Sequence, residues 1–405
     1  MLTVEQALDS ILDTVEPAPT ELVGLSEAAG LALAEDVVCA NDSPPFDKSL
    51  MDGYAVRYSD VGSVRTQLVV REELTAGNVA ANPVNAGEAI RIMTGAPIPE
   101  GADTVIRSED TEFDESQAKV TITALPVGPG TNIMRRAASM RSGDRILKAG
   151  RALRPQDLGT LAELGLHRVS TRRAPTVSVL ATGDELVPID QSPGPGRIRN
   201  SNETMLTAQT RRAGGVPVAL GIASDDRDHL ASRIAEGLRS RVLILSGGVS
   251  AGTRDLVPSE LQRAGVRQVF HKVHLKPGKP LWFGVRQGSE TLSLTYVFGL
   301  PGNPVSSLVC FELFVRSAIR RMMGISPAEP QVRSARLAQD HLVRGDRPTY
   351  HPARLDHEAS EVCVTPVTWQ GSADLRATVD ANAMAVFPPG NHTWRCGDTV
   401  PVIEW

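Results

Sequence analysis

Val177-Ser178-Val179-Leu180-Ala181-Thr182-Gly183-Asp184-Glu185-Leu186 begins as a nearly unbroken apolar run and ends in a glycine turn with two carboxylates. A short continuous run of this kind fits a strand buried on both faces. Working outward, residues 203–212 have helical spacing, 216–222 read as a strand and 229–238 as a helix. Strands at 242–245 and 292–298 follow, then a long apolar helix at 305–323. Strand alternating with helix predicts a doubly wound, mostly parallel sheet with helices on both faces. Ligands of such sheets sit beyond the carboxyl ends of the strands, so the loops there are the place to look for chemistry.

Three of those loops are unusual. They are Thr182-Gly183-Asp184-Glu185-Leu186, Ser246-Gly247-Gly248-Val249-Ser250 and Gly299-Leu300-Pro301-Gly302-Asn303-Pro304, the last directly before a helix. Glycine lets backbone N–H groups approach an anion closely, and a helix N-terminus favours negative charge. One glycine loop can simply be a tight turn; three at corresponding ends of one sheet point to an anion site. Lysine adds to this. Only Lys48, Lys119, Lys148, Lys272, Lys276 and Lys279 occur, and half of them fall in His271-Lys272-Val273-His274-Leu275-Lys276-Pro277-Gly278-Lys279-Pro280. A lysine run is usually a solvated face, but in a lysine-poor chain such clustering favours phosphate.

Asp184, Glu185, Asp225, Asp226 and Asp255 fall in loops of the same domain. Mg²⁺ needs one or two carboxylates together with phosphate oxygens and water. Asp225 and Asp226 read equally well as caps of the next helix. His271 and His274 lack a third ligand and read as structural, as do His351 and His357.

Around this domain the pattern changes. Residues 3–15 predict a helix, with Thr3 and Gln6 at capping-box spacing and Val4, Ala7, Leu8, Ile11, Leu12 and Val15 on one stripe. Pro17 and Pro19 stop it, and a second helix is expected through 26–36. Residues 44–143 hold short β-rich runs broken by Gly, Pro and Asn, a small β domain. Helical spacing returns around Leu158, Leu161 and Leu164, so that 1–43 and 144–172 together make a discontinuous N-terminal domain. The α/β domain then spans 173–326, and 327–405 read as a small β-barrel or sandwich.

At 405 residues the chain is long enough for several domains, and its hydrophobic (41%) and charged (22%) shares fit packed cores. A net charge of -5 and 4% aromatic residues argue against a nucleic-acid partner. No apolar run approaches the ~20 residues that cross a bilayer. Met1-Leu2-Thr3-Val4-Glu5 lacks a secretory pattern, and the four scattered cysteines form no CxxC pair. A cytoplasmic protein with reduced thiols and no membrane partner is expected.

Seven segments in order resemble the MoeA family of molybdopterin molybdenumtransferases, whose eukaryotic relative is the E domain of gephyrin. Pro44-Pro45-Phe46-Asp47-Lys48-Ser49-Leu50-Met51-Asp52-Gly53-Tyr54-Ala55-Val56 is the most specific. Ile92-Met93-Thr94-Gly95-Ala96 and Gly101-Ala102-Asp103-Thr104-Val105 follow, then the three glycine loops and the lysine segment. The resemblance implies an elongated four-part subunit in a homodimer. It implies a cleft shared between the sheet domain of one subunit and the small β domain of the other. It also implies an enzyme that takes adenylated molybdopterin and molybdate, with Mg²⁺, and yields molybdenum cofactor and AMP. Residue by residue, it assigns catalytic roles to Asp52, Thr94, Glu185, Asp255, Lys272 and Lys276. Substrate binding falls to Arg135, Arg136, Thr182, Gly183, Asp184, Ser246, Gly247, Gly248, Ser250, Pro301, Gly302, Asn303, Pro304 and Ser372. Glu185, Asp226 and Asp255 would hold the metal. Other cofactor-biosynthesis proteins and molybdoenzymes awaiting their cofactor are the implied partners. The chain departs from the pattern where Ala137, Ala138 and Ser139 replace Gly-Glu-Asp, where Thr253 replaces an acid and where Asn200 replaces Asp. These departures leave a competing expectation, a divergent paralogue acting as a pterin-binding or scaffold protein.

Overall fold

The computed structural model describes residues 1–249, 256–288, 294–358 and 361–405. The chain divides into two units. One comprises Met1–Glu35, Ala149–Gly159 and Leu166–Trp405, and the other Asp36–Lys148 with Thr160–Gly165.

The first unit is built on a six-stranded sheet in the order Val216–Ala223, Thr176–Thr182, Val242–Ser246, Leu294–Leu300, Trp282–Gln287, Arg267–His271. The first four strands run parallel, as the apolar runs predict. Trp282–Gln287 is antiparallel to both its neighbours. It and Arg267–His271 were not legible beside the lysine segment that joins them. Alternate side chains enter different cores. Val177, Val179, Val242 and Ile244 face one core, which also holds Leu206 and Phe311 from the helices. Leu180, Leu243 and Leu245 face another, closed by Leu230, Ile234 and Leu261. Both faces of these central strands are therefore dry, which is why they read as continuous rather than alternating.

The N-terminal helix is Val4–Thr14, and its capping box between Thr3 and Gln6 forms as expected. Val4, Ala7 and Ile11 are buried, in the same core as Ile319 and Met322. The helix expected through 26–36 does not form. A 3-10 turn covers only Leu25–Glu27, and Gly30 turns the chain at φ 78°. Ala32 and Leu33 then make bridges to Ala152 and Thr171. Tertiary pairing here overrides the helical propensity of an alanine-rich stretch. The strand Thr20–Gly24 pairs antiparallel with Arg168–Arg172, closing the two parts of this N-terminal region onto each other.

The long apolar helix is present with an interruption. Pro304–Cys310 and Arg316–Met322 are α-helical, and Phe311–Val315 between them is a π turn. The C-terminal part closes as a five-stranded barrel of Val332–Leu337, Glu361–Pro366, Thr349–Glu358, Ala383–Phe387 and Thr399–Glu404. Among the described residues, no helix is long and apolar enough to cross a membrane.

The second unit carries its own six-stranded sheet, in the order Thr104–Arg107, Gly53–Val56, Glu88–Ile92, Gln67–Leu74, Lys119–Ile122, Thr111–Asp114. Two small cores, one around Val56 and Ile106 and one around Ile90 and Val105, cover its faces.

Candidate active site

The carboxyl ends of Thr176–Thr182, Val242–Ser246 and Leu294–Leu300 open onto a cleft of about 790 Å³. All three glycine loops line it, through Thr182, Gly183 and Glu185, through Ser246, Gly247, Gly248 and Val249, and through Pro301, Gly302, Asn303 and Pro304. Backbone geometry explains two of the glycines. Gly183 has φ 140°, and a Cβ there would strike the Glu185 carboxylate, which folds back over the turn. Gly247 has φ 98°, and a Cβ would press on Thr182.

Ser372, from the C-terminal region, is drawn to the rim of the third loop. Its hydroxyl accepts from Asn303 Nδ2 at 2.8 Å and its carbonyl from the Val305 N–H at 3.0 Å. Ala373 and Leu375, just beyond it, line the cleft. Ser250 and Asp255 lie outside the described residues.

The charged residues sort differently from expectation. Glu185 and Asp225 line the cleft, and Arg199 is the cation among the described lining residues. Asp226 instead caps the helix Arg227–Gly237, accepting from the His229 N–H at 2.9 Å. Asp184 ties two loops together by accepting from the Asp225 N–H at 3.0 Å, and it lines an adjoining cavity of about 550 Å³. Lys272 and Lys276 do not line the cleft, although Pro280 at the end of their segment does. Lys272 sits at φ 74° with its N–H donating to the Leu281 carbonyl, and Lys276 Nζ donates to the Arg344 carbonyl at 3.4 Å. His271 and His274 are structural, each bonded to a backbone carbonyl, of Val249 and Asp346. No cluster of three or more His, Cys, Asp or Glu side chains able to hold a metal occurs among the described residues.

Asn200 was singled out as a departure from the family pattern, but Ser201 and Asn202 were missed as lining residues, because a helix start carries no sign of what its first turn faces. Asn200 caps Ser201–Arg212 by accepting from the Glu203 N–H, while its Nδ2 donates to Glu203 Oε2 at 3.1 Å. An aspartate at 200 would set two carboxylates against each other. The amide at this departure from the family pattern is thus matched to Glu203.

In the second unit, Thr94 donates to Asp52 Oδ1 from both its N–H and its hydroxyl, each at 2.7 Å. These bonds, the backbone one foremost, hold the Asp52 carboxyl below the ordinary carboxylate range. Arg135 and Arg136 are exposed and ion-paired, at 2.6 Å each, to Asp47 and Asp42. Ser139 is exposed, its N–H donating to the Ser43 carbonyl.

A doubly wound sheet whose glycine loops gather around one cleft at its strand ends defines the class, an α/β domain with its candidate site at the carboxyl edge of the sheet. Residues 178–321 match a family model described as a probable molybdopterin binding domain. Residues 2–165 match the MoeA N-terminal region (domain I and II), and 334–405 the MoeA C-terminal region (domain IV). The chain is similar to the molybdopterin molybdenumtransferase of Staphylococcus aureus (strain Mu50 / ATCC 700699), at 32% identity over 99% of this chain and 95% of that one. The molybdopterin molybdenumtransferase of Bacillus subtilis (strain 168) is 32% identical over 99% of this chain and 94% of its own length. Among solved structures, the molybdopterin biosynthesis moeA protein from Pyrococcus horikoshii OT3 superposes with a TM-score of 0.81 at 29% identity, covering 100% of both chains. The chain belongs to the MoeA family, transferases of molybdenum-cofactor biosynthesis.

Proposed function

We propose that this protein is a molybdopterin molybdenumtransferase that takes adenylated molybdopterin and molybdate and releases AMP and molybdenum cofactor. The observation that carries the reading is the end-to-end likeness to relatives bearing that name, over 99% of this chain. The cleft supports it chemically. Arg199 in the lining offers a guanidinium to a pyrophosphate, and the glycines of the three loops leave room for that anion to approach the backbone closely. The two reactants are anions, so gathering them is the first electrostatic task. The cleft takes the larger one. Lys272 and Lys276, outside its lining, are assigned to the smaller anion, molybdate. Asp52, Thr94, Arg135 and Arg136 belong to the reading as residues supplied by a second subunit. The four-domain division with limits at 43, 143, 172 and 326, the cytoplasmic location and the downstream protein partners belong to it on the same footing.

The residues present fit Mg²⁺. Glu185 and Asp225 in the cleft lining supply the one or two carboxylates that this ion takes together with substrate phosphates. When bound, Mg²⁺ supplies charge neutralisation to the pyrophosphate. Glu185 is held over its turn by the room Gly183 leaves, and the Asp184 bond to the Asp225 backbone fixes the second carboxylate's loop. The chain's own donors bind and orient the phosphates; a water oxygen bonds to the molybdopterin phosphorus as the bridging P–O bond breaks, AMP leaves with the bridging oxygen, and the water's proton passes to solvent.

The test is AMP release by the purified protein from adenylated molybdopterin with molybdate and Mg²⁺; no AMP above a protein-free control would overturn the reading. Within it, Arg199→Ala is expected to weaken adenylate binding ten- to a hundredfold, the loss of one charge-assisted contact of ~1.5–3 kcal/mol. Calorimetric affinity within twofold of the parent would remove Arg199 from the site. Light scattering at micromolar concentration is expected to give the mass of two chains, and a single-chain mass would exclude the shared cleft.

A further inference from the structure

The cleft depends on two loops from different strands holding their relative positions, Ser246 to Val249 and Pro301 to Pro304. The strand ladder reaches only to the bond from the Gly247 N–H to the Leu300 carbonyl. Beyond it a side chain takes over. Asn202, in the first turn of Ser201–Arg212, donates one amide hydrogen to Ser246 Oγ at 2.7 Å and the other to the Gly302 carbonyl at 2.7 Å. The link continues through Asn303, next to Gly302, to Ser372.

Asn202 is 9% exposed and lines the cleft, and its Oδ1 is buried without a partner. Ser246 beneath it is 3% exposed. An unpaired buried acceptor carries a desolvation cost, which an apolar residue of similar volume would avoid. The amide's donor edge, and not its bulk, is therefore what this position uses. Both donors are spent on loops that face the ligand, and none on the helix itself.

Resting on the functional reading above, we infer that Asn202 is a positioning residue for catalysis. It clamps the Ser246 and Gly302 loops at the separation that the pyrophosphate-bearing substrate requires. It acts through the loops and does not touch substrate. Misplacing reacting groups by about 1 Å costs on the order of a hundredfold in rate, so the clamp should show in kcat and little in KM.

The experiment compares AMP release from adenylated molybdopterin by the full-length wild type, Asn202→Ala, Asn202→Asp and Ser246→Ala, with folded fraction followed by circular dichroism at the assay temperature. Asn202→Ala is expected to lower kcat ten- to a hundredfold with KM within threefold. Asn202→Asp keeps the volume but cannot donate to the Gly302 carbonyl, so it is expected to be equally poor. Ser246→Ala removes one arm and should fall between. Wild-type kcat in Asn202→Asp, or losses that match a loss of folded protein in every variant that folds, would overturn the clamp. Should neither Asn202 variant fold, Ser246→Ala decides alone: a rate within twofold of wild type overturns the proposal. Absence of AMP release by the wild type would instead defeat the functional reading, and the clamp with it.

Discussion

Replacing Glu312 with alanine is expected to lower the unfolding free energy by about 3 kcal/mol. Glu312 sits in the π turn Phe311–Val315 and is 1% exposed. Its carboxylate pairs with Arg212, with Arg316 at 3.1 Å and with Gln209 Nε2 at 2.7 Å. A buried ion pair contributes little against an apolar replacement of the whole group, but removing one member strands the others. Arg212 and Arg316 retain 51% and 26% of their side-chain exposure and can partly rehydrate, which keeps the cost at the low end of the usual range. Glu312→Gln keeps the volume but sets an amide against the Gln209 amide and two guanidiniums, and should destabilise comparably. Urea unfolding at pH 7.5 checks both, and a change below about 1 kcal/mol in either would show that the arginines, not Glu312, anchor the network.

The second large effect is acid lability of the C-terminal barrel. His351 is 5% exposed, with Nε2 on the Val367 carbonyl at 2.8 Å. Its ring lies 4.6 Å from that of His341 and 5.1 Å from that of Trp369. Burial, reinforced by His341 and Lys276, pushes its pKa from 6.5 down to about 4, against the opposing pull of the Val367 bond. Burial lowers His341 as well. The unfolded chain therefore binds the proton before the folded one. This contribution is fully present above pH 6.5 and fades as pH falls from 6.5 through 4. The loss reaches about 3 kcal/mol by pH 4. Denaturation followed by tryptophan fluorescence should show wild-type stability falling more steeply from pH 7 to 4 than that of His351→Phe. Parallel pH profiles would mean that His351 titrates normally.

Both effects arise where sequence patterning was least informative. The apolar spacing of 305–323 revealed a buried helix but not the π turn, because one residue inserted into a helix leaves the hydrophobic composition unchanged. The parallel strands were legible, since dry faces on both sides demand unbroken runs such as Val177 to Ala181 and Val242 to Leu245. Trp282–Gln287 and Arg267–His271 were not, since the segment between them drew attention for its charge. At the site, the glycine loops were found because close approach and positive φ leave few other residues. Asn202 and Arg199 were missed because what a side chain faces across a cleft depends on elements far away in sequence. The lysine cluster shows the converse: a compositional anomaly is real, yet it does not fix which cavity the charges serve.

The pairing of Thr20–Gly24 with Arg168–Arg172 has a consequence for synthesis on the ribosome. At about 5–20 residues per second, the second strand follows the first by roughly seven to thirty seconds. The stripe of Val4, Ala7 and Ile11 waits longer still, until Ile319 and Met322 arrive to complete its core. Through that interval the nascent chain exposes an apolar stripe whose partners are not yet made. Chaperones that bind emerging apolar segments have that interval in which to engage it.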